Sequence, residues 1–287
     1  MFIGKGNNGK STLLRVFSAM IGNDNSANQS LHDLVSERFA IANLYGKLLN
    51  QYADISSEEL DDVSVFKALT GGDNLDAEFK GKNHFTFRNH AKLLFSCNTM
   101  PVSMDMSDAF FRRWVIIDFP HSFDGIKANK FLINELMEEQ ELSGIFNEAM
   151  LGLKTIITNQ RFSNEQETAE IRERYIRMSD SVAAYLMDEV EVTTTGFIAK
   201  SELYDTYLIY CAHHKYLAVS EQKFFRRLIA RVTVDEYKPT VAGKRMYAWK
   251  GIKFKNRGNY VEDDNRGVTS SNNEIKEQDK LKWQDNV

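Results

Sequence analysis

The chain has 287 residues, of which 43% are hydrophobic, and its formal net charge is −4. These values indicate a globular protein with room for a main domain and a smaller one, and exclude a disordered or collagen-like chain. No apolar run approaches the roughly 18 residues of a membrane span and no signal peptide is visible, so we expect a soluble protein. The only two cysteines, Cys97 and Cys211, lie far apart without metal-ligand spacing, which favours a reduced, cytoplasmic compartment.

The first dozen residues, MFIGKGNNGKST, contain a pattern typical of phosphate-binding loops. Residues 4–11 match G-x-x-x-x-G-K-[ST] at every fixed position. Glycines let successive N–H groups converge on phosphate oxygens, the lysine reaches the β- and γ-phosphates, and the serine hydroxyl can bind Mg²⁺. A glycine- and asparagine-rich turn that merely caps a helix is the alternative. The predicted ATP-binding residues are Gly4, Lys5, Gly6, Asn7, Asn8, Gly9, Lys10, Ser11 and Thr12.

The strand that should precede this loop is short, because only three residues come before Gly4. A buried strand usually has about five residues. We therefore expect the chain to begin inside its first strand, as the C-terminal part of a longer protein or from a misplaced start; a strand that is simply short is the alternative. After the loop, apolar residues recur at helical spacing over 13–21, which predicts a helix.

Alternating strands and helices follow, as in an α/β nucleotide-binding domain. Buried strands are predicted at Leu48–Ile55, Ala91–Cys97 and Trp114–Phe119. A helical segment is predicted over 126–152, with its packing face formed by Phe131, Leu132, Leu136, Met137, Ile145 and Phe146. The predicted organisation is an ATPase domain at 1–155, a helical linker at 156–179, a small domain at 180–255 and a disordered polar tail at 256–287.

Three polar positions at the predicted strand ends are candidates for ATP hydrolysis. Asp54 ends one apolar run and can hold Mg²⁺ or orient water, and Asn98 ends another and can sense the γ-phosphate. Arg112 and Arg113 precede the third strand and can neutralise transition-state charge. Each residue taken alone also fits an ordinary role, as a surface turn or helix cap, an Asn before a proline turn, or a solvated basic pair.

Between the Gly-Gly-Asp turn at 71–73 and the strand at 91–97, two short alternating runs flank Gly81, which predicts a β-hairpin over 76–87. Lys80 and Lys82 can contact phosphates of single-stranded DNA, and His84 can contact the backbone or stack. An ordinary solvated turn is the alternative.

Residues 180–255 predict three helices and then a hairpin that pairs 232–237 with 244–249, an order that suggests a winged helix. Basic residues on the third helix and the wing would form a face for duplex DNA: Lys223, Arg226, Arg227, Arg231, Lys244 and Arg245. A packing or oligomer-supporting domain with a charged surface is the alternative.

Four segments in order resemble the superfamily 3 helicase domain, most closely that of the primase–helicases of phages, satellite phages, plasmids and poxviruses. They are GKGNNGKST, KALTGGD, LLFSCNTMP and FRRWVIIDFP, and they cover residues 1–120 well and the C-terminal unit less strongly. The resemblance implies a P-loop, AAA+-like α/β fold, a ring that is usually a hexamer, and 3′→5′ DNA unwinding driven by ATP and Mg²⁺. Relatives often end in a winged-helix domain.

Position by position, the resemblance makes Lys10 and Ser11 the Walker A pair, with Ser11 and Asp54 holding the metal. Asp54 matches the Walker B acid, Asn98 the sensor asparagine and Arg113 the arginine finger that acts in trans, with Arg112 as the alternate. Many relatives carry two adjacent acids in Walker B, whereas Ile55 follows here. This departure leaves open which carboxylate orients the attacking water, since the next acids are Glu58 and Glu59.

The resulting hypothesis is an ATP-dependent DNA helicase that replicates a phage, plasmid or other mobile element in a bacterial or phage-infected cell. Its expected partners are single-stranded DNA, duplex DNA, further copies of the same chain, and a primase region or partner, with no membrane. One alternative is a DNA-binding initiator, or a remnant module, whose truncated first strand leaves little ATPase activity. Another is an ATP-dependent switch that remodels a protein.

Overall fold

The structure is a computed structural model that describes residues 1–60, 62–123, 128–241, 243–255, 260–263 and 267–270. The chain divides into two compact units, Met1–Ser179 and Asp180–Val287. Across the described ranges, no helix combines the length and the apolar character needed to cross a membrane.

The first unit is a mixed α/β structure. Two 3₁₀ turns, Asn23–Asn25 and Ile41–Leu44, accompany its regular elements. In chain order these are β1 (Phe2–Ile3), α1 (Lys10–Ile21), β2 (Ser26–Ala27), α2 (Leu31–Ser36), β3 (Leu49–Tyr52), α3 (Ser64–Gly71), β4 (Asn74–Ala77), β5 (Phe85–Arg88), β6 (Lys92–Cys97), α4 (Asp108–Phe111), β7 (Ile117–Asp118), α5 (Leu132–Leu136), α6 (Glu139–Asn159) and α7 (Thr168–Ser179).

Five of these strands form a parallel sheet in the order β2-β3-β6-β1-β7. The order places β6 between β3 and β1, although β6 comes last of the three in the chain. Because all the strands run the same way, the residues that follow them meet at one edge of the sheet. The sheet interior is apolar, with Phe2, Phe95 and Cys97 buried, as expected for a parallel sheet covered by helices.

The predicted strands are present but shorter than expected. The third is the most reduced, since only Ile117–Asp118 pairs with β1 out of the predicted 114–119. The residues before it do not pair with β1, although the side chains of Trp114 and Ile116 are buried. An apolar run in the sequence thus predicts that its side chains are buried, but not which of its residues form backbone hydrogen bonds in a sheet.

The predicted packing face on 126–152 is wrong in part. Residues 124–127 lie outside the described ranges, and the rest forms the separate helices α5 and α6. Neither helix contains a buried residue, and Phe131, Leu132, Met137 and Phe146 are all exposed. Helical periodicity identifies the apolar face of a helix, but whether another element covers that face depends on the tertiary structure.

Helix α7 lies in the segment predicted as a linker and is anchored to the first unit. The Tyr175 hydroxyl donates a hydrogen bond of 2.8 Å to the carbonyl of Pro101. Its ring packs among Phe110, Phe111 and Trp114, with centroids 5.3–5.7 Å apart. Burial raises the pKa of Tyr175 well above its usual range, as expected for a phenol surrounded by aromatic rings.

The second unit is built on a five-stranded antiparallel sheet in the order β14-β13-β8-β12-β9, with a separate two-stranded ribbon, β10-β11. Its elements are α8 (Ser181–Glu189), β8 (Val190–Ala199), α9 (Lys200–His214), α10 (Glu221–Arg231), β9 (Asp235–Tyr237), β10 (Thr240–Val241), β11 (Lys244–Arg245), β12 (Ala248–Phe254), β13 (Tyr260–Asp263) and β14 (Gly267–Ser270).

The three predicted helices of this unit are present. The predicted pairing of 232–237 with 244–249 is present only in part: 235–237 pair with 248–250, as in Ala248 opposite Tyr237, whereas 244–245 pair with 240–241. The sequence prediction missed β8, which is the central strand. Its sequence, VEVTTTGFIA, is rich in β-branched residues and contained the signal that would have found it. The predicted polar tail, 256–287, contains β13 and β14, and its remaining residues lie outside the described ranges.

Candidate functional site

The glycine-rich loop joins the carboxyl end of β1 to the amino terminus of α1. Asn7 and Gly9 have positive φ angles of 57° and 86°, so the backbone curls between them. Gly9 is the N-cap of α1 and offers no side chain there, so the first N–H groups of the helix face the loop without a side-chain cap. A loop of this kind at a helix amino terminus is suited to bind an anion.

Lys10, the first residue of α1, is 7% exposed. Its ammonium donates to three neutral oxygens, the Gly4 carbonyl at 2.5 Å, Asn8 Oδ1 at 3.1 Å and Asn98 Oδ1 at 3.3 Å. Burial lowers the pKa of Lys10, and the nearby Asp54 partly opposes that shift. Within the described part of the chain, the ammonium forms no ion pair. It is therefore a buried positive charge whose hydrogen bonds all go to uncharged oxygens, which favours binding of an anion.

Asp54 and Asn98 meet at the same edge of the sheet. The Asn98 amide donates to Asp54 Oδ1 at 3.4 Å, so this one side chain lies between the lysine and the carboxylate. Asp54 has a φ of 58°, and its N–H donates to the Ser96 hydroxyl at 3.3 Å. Ser96 is buried, and its supporting role was not predicted, because a serine inside an apolar run has no distinguishing sequence pattern.

The predicted metal residues offer oxygen donors of the right kind. Mg²⁺ usually takes one or two protein oxygens, with phosphate oxygens and water completing its shell. Ser11 begins the exposed face of α1 and Asp54 is also exposed, so both donors are accessible from solvent. No cluster of three or more His, Cys, Asp or Glu side chains suited to a metal occurs in the described ranges, and such a cluster is not needed for this type of site.

The loop is also braced by the chain that follows β7. Asn8 Nδ2 donates to the Phe119 carbonyl at 3.1 Å, while the Asn7 carbonyl accepts from the Phe123 N–H at 2.8 Å. Gly4 lies so close to this wall that an added Cβ would sit 2.4 Å from both Asn8 Nδ2 and the Phe119 carbonyl oxygen. Asn8, predicted as a nucleotide contact, therefore also fixes the shape of the loop.

The two arginines of the predicted finger lie in different environments. Arg112 is exposed and lines a cavity of about 180 Å³ together with Trp114 and Phe162. Arg113 is half-buried, and its Nη1 donates to the carbonyl of Ala109 in the same turn. Neither makes a hydrogen bond or ion pair with Lys10, Asp54 or Asn98 in the described structure.

The predicted β-hairpin is present as β4 and β5, with Ala77 opposite Phe85 next to the turn. Lys80 and Lys82 are exposed in that turn, and the Lys82 ammonium lies 5.6 Å from the centroid of the Phe79 ring. His84 is also exposed, but Nε2 lies 2.6 Å from Glu78 Oε2, which Arg38 contacts as well. The two lysines are thus available to a polyanion, whereas His84 is already paired.

In the second unit, the basic residues of α10 divide into two sets. Lys223 and Arg226 are exposed three residues apart on α10, and the adjacent Lys244 and Arg245 are exposed on the β10-β11 ribbon. Arg227, expected to face DNA, is instead buried, with Nη1 3.0 Å from Asp180 Oδ1.

A second arginine of α10, Arg231, is also paired with Asp180. Arg231 lies 2.7 Å from Asp180 Oδ2, so both guanidinium groups are committed to the core of the unit rather than to a ligand. Sequence alone could not separate them from their exposed neighbours, because all four basic residues of α10 fit a helical charge pattern.

The chain matches known sequences over its first part. Residues 2–113 match the model of a family of unknown function (DUF5906), which is less than half of the 287 residues. The match includes the glycine-rich loop, Asp54 and Asn98, and ends at Arg113.

Two solved structures of the NrS-1 C-terminal region, both apo, align with this chain. The first has a TM-score of 0.46 and 16% sequence identity, and the alignment covers 87% of this chain and 66% of that chain. The second has a TM-score of 0.38 and 14% sequence identity, and the alignment covers 87% of this chain and 65% of that chain. The chain therefore spans slightly less than two thirds of these structures. A JCV helicase bound to a thiazolopyridine compound has a TM-score of 0.34 at 16% identity, over 65% of this chain and 54% of that one. All these scores and identities are low.

Proposed function

We propose that this protein hydrolyses ATP and uses the energy to move along and unwind DNA, as a subunit of a replicative helicase. The observation that carries the proposal is the hydrogen-bonded series Lys10–Asn98–Asp54 beside the glycine-rich loop. It brings a buried cation, a polar amide and an accessible carboxylate from three different strands to one edge of a parallel sheet. Sites of phosphoryl transfer commonly combine a lysine that binds the phosphates with a carboxylate that binds the metal ion.

The roles of the residues follow from these positions. The loop N–H groups and Lys10 would bind the phosphates. Asn98 would keep the side chains of Lys10 and Asp54 in position while contacting the γ-phosphate. Ser11 and Asp54 would hold Mg²⁺, which neutralises the charge that develops on the phosphate oxygens. Ile55 follows Asp54, so the base that orients water is Asp54 itself or an acid from a nearby turn, Glu58 or Glu59.

We assign transition-state neutralisation to Arg113, with Arg112 as the alternate, acting on ATP bound to a neighbouring copy. Neither arginine makes a hydrogen bond or ion pair with Lys10, Asp54 or Asn98 in the described structure, and the assignment to a neighbouring copy rests on the resemblance to superfamily 3 helicases. A ring, with a hexamer as the expected size, would follow from this arrangement. Trans-acting arginines raise the rate by roughly 10³–10⁵-fold in other nucleotide hydrolases.

The DNA-binding roles rest on exposed cations. Lys80 and Lys82 on the hairpin would contact single-stranded DNA, and His84, also predicted there, could join them only by leaving Glu78. We propose a winged helix for the second unit, which the order α8, β8, α9, α10, β9, β10-β11 ribbon and β12 supports; Lys223 and Arg226 lie on α10, its third helix. This exposed pair supports contact with duplex phosphates.

ATPase assays with and without single-stranded DNA test the proposal directly. We expect DNA-stimulated hydrolysis, lowered at least about 100-fold by Lys10→Ala, because the buried cation is lost. Lys154→Ala is the matched control, since Lys154 is an exposed lysine on α6 of the same unit, outside the loop, and should leave the rate within about 2-fold. A strand-displacement assay then distinguishes a helicase from an ATP-driven switch.

Two outcomes would contradict the proposal. ATP hydrolysis unaffected by Lys10→Ala would show that the loop is not the nucleotide site. DNA binding with no measurable ATPase, in protein that remains folded, would favour the initiator reading instead.

A further inference from the structure

The wall that braces the glycine-rich loop depends on a very short edge strand. β7 contains only Ile117 and Asp118, and β1 is its single strand neighbour in the described sheet. Ile117 donates to the Met1 carbonyl at 2.9 Å, and Phe119 to the Ile3 carbonyl at 2.8 Å. A two-residue edge held by so few backbone bonds opens easily unless something else holds it.

That second support is Arg174 of α7, the helix anchored by Tyr175. Arg174 Nη1 donates to the Ile116 carbonyl at 3.1 Å, and Nη2 lies 2.5 Å from Asp118 Oδ2. The same Nη1 contacts Gln166 Oε1 at 3.3 Å. One guanidinium therefore contacts β7 on both sides of Ile117, once through the backbone and once through a carboxylate. The Arg174 side chain is 22% exposed and that of Asp118 is 53% exposed, so water only partly screens this ion pair; Nη2 is at ion-pair distance from Asp118 but makes no hydrogen bond in the described structure.

The contacts continue from β7 into the loop. The residue after Asp118 is Phe119, whose carbonyl accepts from Asn8 Nδ2, and Asn8 Oδ1 accepts from Lys10 Nζ. Three successive contacts thus connect Arg174 to the buried ammonium. Arg174 itself makes no described contact with the loop, so any effect on nucleotide must pass through β7.

We propose that Arg174 is a positioning residue that holds the end of β7 against the glycine-rich loop and so keeps the loop in its nucleotide-binding shape. This inference rests on the proposed nucleotide site. Nothing in the sequence distinguishes Arg174 from Arg172 or Arg177 in the same helix, and only the tertiary structure singles it out.

The test compares Arg174→Gln, Arg174→Lys and the matched control Arg177→Gln in the full chain. Arg177 pairs with Glu173 inside α7 and so controls for loss of an arginine from this helix. The probe is a fluorescent ATP analogue with Mg²⁺, titrated to obtain Kd. Hydrogen exchange of a peptide covering 115–121 is measured without nucleotide, and a thermal melt reports the fold.

We expect Arg174→Gln to raise the Kd about 10-fold and to speed exchange at 115–121, with the melting temperature close to that of the control. Arg174→Lys should fall between wild type and Arg174→Gln, because it keeps the charge near Asp118 but loses the forked geometry. If Arg174→Gln does not fold, the Lys variant supplies the same two readouts.

Wild-type Kd and exchange in both Arg174 variants would overturn the inference, and so would an equal rise of Kd in Arg177→Gln. Absence of nucleotide binding by the wild-type protein would instead refute the proposed function. The exchange at 115–121, measured without nucleotide, would then still show whether Arg174 holds β7.

Discussion

Replacing Asp180 should destabilise the second unit more than any surface substitution. The side chain is 1% exposed and has three partners: Arg227 Nη1 at 3.0 Å, Arg231 Nη2 at 2.7 Å and the Val182 N–H at 3.0 Å, for which it is the N-cap of α8. Asp180→Ala leaves two guanidinium groups largely buried without a counter-charge. Breaking a buried ion pair costs about 3–5 kcal/mol, and losing a cap adds about 1 kcal/mol.

The sum, about 4–6 kcal/mol, is a large part of the stability of an ordinary domain, which is roughly 5–15 kcal/mol. Asp180→Asn should cost less than Asp180→Ala by about 1 kcal/mol, because asparagine is also a good N-cap. The second unit should therefore unfold at much lower urea concentration, and α10 should lose its fixed position.

The loss of stability is measured by urea denaturation, with hydrogen exchange of peptides from each unit as the readout, so that the unfolding of the two units is recorded separately. Asp205→Ala is the control, since Asp205 is exposed on α9 of the same unit and should change stability by no more than about 0.5 kcal/mol. A loss below about 1 kcal/mol for Asp180→Ala would refute the reasoning. It would mean that the two arginines find other partners or water when the carboxylate is removed.

Three further predictions concern the first unit. Gly4→Ala should weaken nucleotide binding about 10-fold in a fluorescence titration, since its Cβ would lie 2.4 Å from two atoms. The control is Gly144→Ala on α6, outside the loop, where an added Cβ meets nothing within 4 Å and binding should match wild type. Lys80→Ala with Lys82→Ala should weaken DNA binding at every sequence and lower the salt slope by about 2, and an unchanged slope would remove the hairpin from the interface. Burial raises the pKa of the Cys97 thiol to about 11, so iodoacetamide should not label it at pH 8 until the protein unfolds; labelling of folded protein at that pH would contradict this.

The sequence predicted the loop and strand ends of the candidate site because their chemistry is local. Gly9 and Lys10 belong to a pattern with fixed spacing, while Asp54 and Asn98 each end an apolar run. Parallel strands bring such ends to one edge, so the grouping follows from the fold class. The order of contact does not follow from it: Asn98 lies between the lysine and the carboxylate because β6, late in the chain, inserts between β1 and β3.

The sequence alone therefore predicted which residues would carry phosphate chemistry and that two units follow one another in the chain. The tertiary structure decided which charged side chains are free for a ligand and which are used internally. Arg226 and Arg227 are neighbours of the same type, yet one is exposed and the other is buried against Asp180. The physical reason is that burial and charge pairing depend on what packs against a helix face, and that partner lies far away in the sequence.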